Sequence, residues 1–156
     1  MKSLLKSFGY AFSGIFTALA TERNMRIHTV CMLYMYFFLF AFDFFEISGT
    51  QLAVIFLANG LVMGGELFNT AIEATVDMHG DEHTKLGKIA KDCAAGAVLV
   101  FTIFSVLCGI AIMYQPEAFK ELFAYFIANP VAIVLFAISV VIFTIFIFKG
   151  FPKKKG

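Results

Sequence analysis

Long apolar stretches alternate with short polar knots along this chain, and the stretches have the length of helices rather than strands. Cys93 to Tyr114 carries no charge, and neither does Leu122 to Phe148, which is broken at Asn129-Pro130. Ile47 to Gly65 is also uncharged and runs directly into an acidic segment. A shorter stretch, about 27–42, is dense in Phe, Tyr, Met and Leu. About 20 helical residues rising 1.5 Å each cross a hydrocarbon core of roughly 30 Å, so four membrane-spanning helices is the economical count. Their expected bounds are about 27–46, 50–78, 87–114 and 130–148. Glu117 to Ile127, bracketed by Gln115-Pro116 and Asn129-Pro130, reads as a short interfacial helix.

Residues 3–22 obey a different pattern. Lys2, Lys6 and Ala18-Leu19-Ala20 have the outline of a secretory signal with its cleavage site. Ser7, Gly9, Tyr10, Ser13, Gly14 and Thr17 interrupt the apolar middle, however, and Leu4, Leu5, Phe8, Phe12, Ile15, Phe16 and Leu19 recur at helical spacing. That pattern describes an amphipathic helix lying in the membrane interface.

The acidic segment is the anomaly. Glu66, Asn69, Glu73 and Asp77 sit at offsets of 3, 7 and 11 residues, which at 100° per residue places all four in a narrow sector of one helix. If that helix ends near the membrane surface at Asp77, Glu73 lies about 6 Å deeper and Glu66 about 16 Å deeper. A charged side chain at mid-membrane costs roughly 2.5–3.5 kcal/mol on insertion scales, and such residues usually line a pathway or a reaction centre. Glu73 with Asp77 suits a hard cation. Asn69 adds a donor and an acceptor beside Glu66. A polar seam joining helices is the bland alternative. Gly64, Gly65 and Ala94-Ala95-Gly96-Ala97 read as close-packing residues.

Composition supports the membrane reading: 60% of the 156 residues are hydrophobic, 15% are charged, and the mean hydropathy is +0.86. A net charge of +1 offers no argument for nucleic acid, and none is expected as a partner. Charge placement is more informative. Lys2, Lys6, Arg23 and Arg26 precede the first span, Lys85, Lys88 and Lys91 fall between the second and third, and Lys149 and Lys153 to Lys155 follow the fourth. Lys120 alone of the 12 basic residues falls elsewhere, so both termini and the 78–92 loop are expected on the cytoplasmic side of a cell membrane. Cys31, Cys93 and Cys108 have no metal-ligand spacing and read as apolar filler.

Two more polar clusters flank the stripe. His79, Asp81, Glu82 and His83 form a solvated turn more readily than a metal cluster, and Lys91-Asp92 follows where a lysine can meet phosphate. Glu22, in Glu22-Arg23-Asn24-Met25-Arg26-Ile27-His28, lies at the level of Glu73 and with it could complete a magnesium site. Gly80 and Gly87-Lys88 do not make a phosphate loop, and Ile89 stands where Ser or Thr is required. Nucleotide chemistry, if present, must therefore be built on helices.

Together these segments resemble the small prokaryotic integral-membrane diacylglycerol kinase/undecaprenol kinase family, from about Leu5 to Tyr114. The resemblance rests on Glu66-x-x-Asn69-Thr70-Ala71-Ile72-Glu73-Ala74-x-Val76-Asp77 followed by Lys91-Asp92, while the Glu22–His28 segment is closer to the Gram-positive undecaprenol kinase branch. The resemblance implies an all-α membrane protein with a surface helix and a three-helix transmembrane core over residues 1–115. Residues 116–156 would then be an extension bearing a fourth span and a Lys-rich tail. It implies a homotrimer with composite sites, ATP as phosphoryl donor and Mg²⁺ as cofactor. Glu66 matches the family's general base, and Glu22 and Glu73 match its metal ligands. Tyr10, Glu22, Glu73, Asp77, Glu82, His83, Lys91 and Asp92 match positions around the nucleotide; Arg26, Glu66 and Asn69 match positions around the lipid hydroxyl. Where parts of the family carry a basic residue that helps the nucleotide, this chain has Ser3. The expected activity is phosphorylation of a membrane lipid alcohol, undecaprenol ahead of diacylglycerol. A proton- or cation-coupled transporter is the rival from another class, and a non-catalytic assembly subunit the third reading. The near absence of polar groups between residue 52 and Glu66, apart from Asn59, argues against a full conduit.

Overall fold

In the computed structural model, which describes residues 2–78, 80 and 84–151, the chain forms six helices. They are α1 (Lys2–Thr21), α2 (Arg23–Ala41), α3 (Gly49–Met78), α4 (Lys85–Met113), α5 (Pro116–Ala128) and α6 (Pro130–Lys149). No strand occurs among the described residues. Three helices, α3, α4 and α6, are long and apolar enough to cross a membrane. The shortest expected span is α2. Its apolar part runs from Ile27 to Ala41, roughly 22 Å at 1.5 Å per residue, and it stops short of the anticipated end at 46 because Phe42 turns extended.

Most of the helix packing lies between α3 and α4, with α2 laid against α3. Gly65 shows why the α3–α4 pair can be so close. A Cβ there would lie 2.8 Å from Cδ2 and 3.3 Å from Cε2 of Phe101, and 3.6 Å from Val98. Gly64, singled out with it in the sequence, faces open space, as does Gly96. Small residues matter only where the crossing puts them in contact. Ala94 and Val98 on α4, with Ile55 and Val62 on α3, supply the buried apolar contacts.

The end of the bundle away from Glu22 is tied by aromatics and one amide. Phe42 meets Tyr125 and Phe38 meets Phe126 and Phe136, so α5 and the start of α6 close over the end of α2. Gln115 accepts from the backbone N–H of Glu46 at 3.0 Å and donates to its carbonyl at 3.0 Å, joining the α2–α3 and α4–α5 connections. Within the bundle, Asn59 donates to Tyr36 at 2.8 Å and Tyr34 pairs with Ser139 at 2.9 Å. Such interhelical bonds are worth on average about 0.6 kcal/mol in a bilayer. Helix α6 runs antiparallel to α2, packs on it, and buries none of its own residues, so the rest of its apolar surface faces outward.

Helix α1 has the expected amphipathic character. Leu4, Leu5, Phe8, Phe12 and Phe16 are exposed, while Ala18 is buried where α1 meets the bundle. Its hydroxyls bond within the helix, Ser7 to the Ser3 carbonyl and Thr17 to the Ser13 carbonyl. The Pro116–Ala128 helix matches the short helix expected between the two prolines.

The Gly65–Phe101 contact yields a direct test. Gly65→Ala is expected to destabilise the protein by about 1–3 kcal/mol through overpacking, read as a lowered thermal midpoint in detergent. Phe101→Leu in the same background should recover most of that loss. A Gly65→Ala protein as stable as the parent would contradict the close approach.

Candidate functional site

One unbroken helix, α3, carries the whole polar stripe, and exposure rises along it. Glu66 is 2% exposed, Asn69 is 9% exposed, Glu73 is half-buried, and the Asp77 side chain is 49% exposed. The ladder expected from the sequence is therefore a gradient from bundle interior to surface. It follows from helical rise alone, because each step of three or four residues moves about 5–6 Å along the axis on one face.

Three helices supply the walls of a cavity of about 290 Å³ around that stripe. Glu22, Asn24 and His28 come from the α1–α2 junction and α2, Glu66, Asn69 and Glu73 from α3, and Thr102 from α4. Glu22 is the single non-helical residue between α1 and α2, with φ −94° and ψ 120°, and its side chain makes no capping bond. Asn69 donates from Nδ2 to Oε1 of Glu73 at 2.9 Å. His28 brings Nε2 to 3.3 Å from Oε1 of Glu66. That contact lies outside hydrogen-bond geometry, because Oε1 of Glu66 has no hydrogen-bond partner among the described residues. The same holds for Oδ1 of Asn69 and Oγ1 of Thr102.

Buried acceptors without donors cost about 1–3 kcal/mol, more when charged. Two of them, a carboxylate oxygen and an amide oxygen, flank one cavity. They are complementary to a ligand that offers O–H groups or a cation.

A second, apolar groove of about 390 Å³ shares His28 and Thr102 with this cavity. It runs along α2, α3 and α4 past Met32, Met35 and Met63 as far as Asn59. The polar cavity and the apolar groove thus share two wall residues.

The structure brings Glu22, Glu66, Asn69 and Glu73 together. It also joins Asp77 to Lys91 in an ion pair between the end of α3 and the start of α4. Asp92 is exposed beside that pair. Two other expected site residues lie elsewhere. Tyr10 is exposed and lines a groove between α1 and the Leu67, Thr70, Ala71 and Ala74 face of α3, roughly 100° round the helix from the stripe. Arg26 is buried, and its guanidinium donates to the carbonyls of Leu19, Ala20 and Ile147. Glu82 and His83, like His79, lie outside the described residues. The cysteines are free, and Cys31 and Cys93 are exposed.

His28 and Thr102 are among the site residues that sequence reasoning passed over. His28 stood in a quoted segment without a role, and Thr102 was one of two small hydroxyl residues, with Ser105, in a largely apolar span. Neither has a local signal, since each acquires its meaning from a residue on another helix.

Comparison with known proteins shows the family of the chain. The family model described as prokaryotic diacylglycerol kinase matches residues 9–113. A diacylglycerol kinase of Synechocystis is 43% identical over 115 residues, covering 73% of this chain and 64% of the relative. The chain thus matches less than two thirds of that protein's length. An undecaprenol kinase of Bacillus subtilis is 41% identical over 114 residues, covering 72% of this chain and 89% of the relative. A diacylglycerol kinase of Escherichia coli is 31% identical over 112 residues, with the same two coverages. No solved structure matches the chain. The matched segment contains the whole stripe, the α1–α2 junction and Lys91-Asp92, and it ends where α5 and α6 begin. By that match the chain belongs to the prokaryotic diacylglycerol kinase family.

Proposed function

We propose that the protein is an ATP-dependent lipid kinase that phosphorylates the hydroxyl of a membrane-embedded polyprenol, undecaprenol being the named substrate of one relative. The observation that carries this reading is Glu66. Its carboxylate is 2% exposed, carries an oxygen without a hydrogen-bond donor among the described residues, and lines a cavity that holds two further carboxylates and shares His28 and Thr102 with an apolar groove. A soluble nucleotide and a lipid alcohol can meet only where such surfaces join.

In this mechanism the lipid hydroxyl donates to Glu66, which takes its proton as the oxygen attacks the γ-phosphorus. The bond from phosphorus to the β–γ bridging oxygen breaks, ADP leaves, and the lipid retains the phosphoryl group. His28 lies 3.3 Å from Oε1 of Glu66 and adds a polar neighbour beside the receiving carboxylate. Asn69 orients Glu73 through its amide N–H. Lys91, paired with Asp77, presents positive charge at the donor end, and Asp92 lies beside it.

The residues fit a magnesium ion. Glu22 and Glu73 are hard oxygen donors that line one cavity, and Mg²⁺ typically takes one or two carboxylates and completes its shell with water and substrate phosphates. No group of three or more His, Cys, Asp or Glu arranged for a metal occurs among the described residues. When bound, it would neutralise charge on the phosphates. The family resemblance adds a homotrimer with sites shared between protomers, and the clustering of basic residues toward the Glu22 end of the bundle supports a cytoplasmic position for it.

Diacylglycerol as acceptor is the second reading, favoured by the Synechocystis relative at 43% identity. The groove past Met32, Met35 and Met63 suits a long hydrocarbon tail, since methionines adapt to irregular apolar shapes. Against a transporter, Asn59 beyond Glu66 is engaged with Tyr36.

Purified protein with labelled ATP·Mg²⁺, offered undecaprenol and diacylglycerol in parallel, should phosphorylate undecaprenol faster. The opposite preference would reverse the substrate assignment, and no transfer to either lipid from folded protein would refute the kinase. Glu66→Gln should lower turnover by about 10²–10⁴-fold with ATP binding retained; lost nucleotide binding would contradict its role as base. Glu73→Gln should raise the Mg²⁺ concentration for half-activation, and an unchanged metal dependence would exclude it as a ligand.

A further inference from the structure

Arg26 is spent in an unexpected way. It is 6% exposed, always charged, and its donors go to the ends of two other helices. Nη1 donates to the carbonyls of Leu19 at 3.2 Å and Ala20 at 2.9 Å, in the last turn of α1. Nε donates to the carbonyl of Ile147 at 2.9 Å, in the last turn of α6. The last carbonyls of a helix have no intrahelical partner and carry roughly half a negative charge in sum. Two such ends converge on a single guanidinium.

Gly150 completes the joint. Its φ of 64° and ψ of −157° fall where L-residues with a side chain rarely go. A Cβ at that position would lie 3.1 Å from Nη1 and 3.3 Å from Cζ of Arg26, and 3.5 Å from the Ala20 carbonyl. The backbone past α6 therefore lies directly against the guanidinium. Ile147 and Gly150 both lie outside the matched family segment, which ends at residue 113.

Glu22 follows directly on the gripped end of α1. Its N–H donates to the Ala18 carbonyl at 2.8 Å, and its carbonyl accepts from the Arg26 N–H at 3.4 Å. As the lone extended residue between α1 and α2, its direction is set by the angle at which those helices meet. Arg26 holds that angle from the α1 side and ties it to α6.

We propose that Arg26 is a positioning residue, and that the appended helix α6 is a brace which, through Arg26 and Gly150, holds the α1–α2 junction so that Glu22 faces the cavity. The brace links a segment outside the shared family region to the donor side of the site. It deepens the kinase reading and rests on it only where Glu22 is taken as a metal ligand; the mechanical link stands on the hydrogen bonds alone.

The test uses the full-length protein in lipid nanodiscs with two readouts. The variants are Arg26→Lys, which keeps the charge but loses the fork that spans both helix ends, and Gly150→Val, with Gly150→Ala as the milder change if valine prevents folding. Hydrogen–deuterium exchange over residues 14–22 should rise in every folded variant, whether or not the protein is a kinase. In the kinase assay, the Mg²⁺ concentration for half-activation should rise roughly tenfold, the low end for loss of a group that orients a metal ligand. The KM for the lipid should change little. Unchanged exchange in the Gly150 variants would overturn the brace. A raised lipid KM with unchanged Mg²⁺ dependence would overturn it in favour of direct lipid contact by Arg26. If wild-type protein transfers no phosphate to any lipid, the kinase reading falls, while the exchange result still decides whether α6 braces α1.

Discussion

A carboxylate enclosed by helices whose outer faces are apolar is the constraint around which the rest of this molecule is arranged. Glu66 is 2% exposed, within a bundle that has three helices apolar enough to span a bilayer. Such a group is tolerated only where polar company or a ligand compensates its lost hydration. Here the company is His28 from α2 and Asn69 from one turn further along α3, with Thr102 of α4 on the same cavity wall. That company in turn requires α2, α3 and α4 to approach closely at this level. Gly65, immediately before Glu66, lies against Phe101 of α4 without a side chain between them. The residue that allows the close crossing and the residue that needs it are neighbours in the chain.

From this follows a division of labour along the helix axis. Toward the surface, Asp77, Lys91 and Glu73 form an increasingly hydrated charged region suited to phosphate and metal. Inward, His28 and Thr102 line both this cavity and an apolar groove. The chemistry of phosphoryl transfer asks the protein mainly for positioning and charge stabilisation. The unbroken α3 serves that positioning by holding Glu66, Glu73 and Asp77 on one face. The polar groups farther along the bundle, Asn59 with Tyr36 and Tyr34 with Ser139, pair with each other, so they hold helices together rather than extend a path.

The extension beyond the family segment fits the same logic. Helix α6 buries nothing of its own, and its engagement is concentrated on α2, through aromatic contacts near one end and the Arg26 joint at the other. Its antiparallel course brings its C-terminal carbonyls back to the level of the α1–α2 junction. A buried cation and a helix C-terminus attract one another through the helix dipole, which gives the returning chain a specific landing point.

The sequence by itself determined whatever depends on local periodicity and length. The helices, the breaks at Pro116 and Pro130, the amphipathic α1 and the depth order of Glu66, Asn69, Glu73 and Asp77 all follow from helical spacing and hydrophobicity. Those features are properties of one segment at a time. Only the tertiary structure decided which residues face one another. It paired His28 with Glu66, made Thr102 part of two cavity walls, separated the packing role of Gly65 from the open position of Gly64, and turned Arg26 away from the cavity toward three backbone carbonyls. The reason is geometric: a helix sequence states which side chains share a face, but the partner across a helix crossing is set by rotation and offset between helices. Those are fixed by the sum of many contacts, and no single segment encodes them.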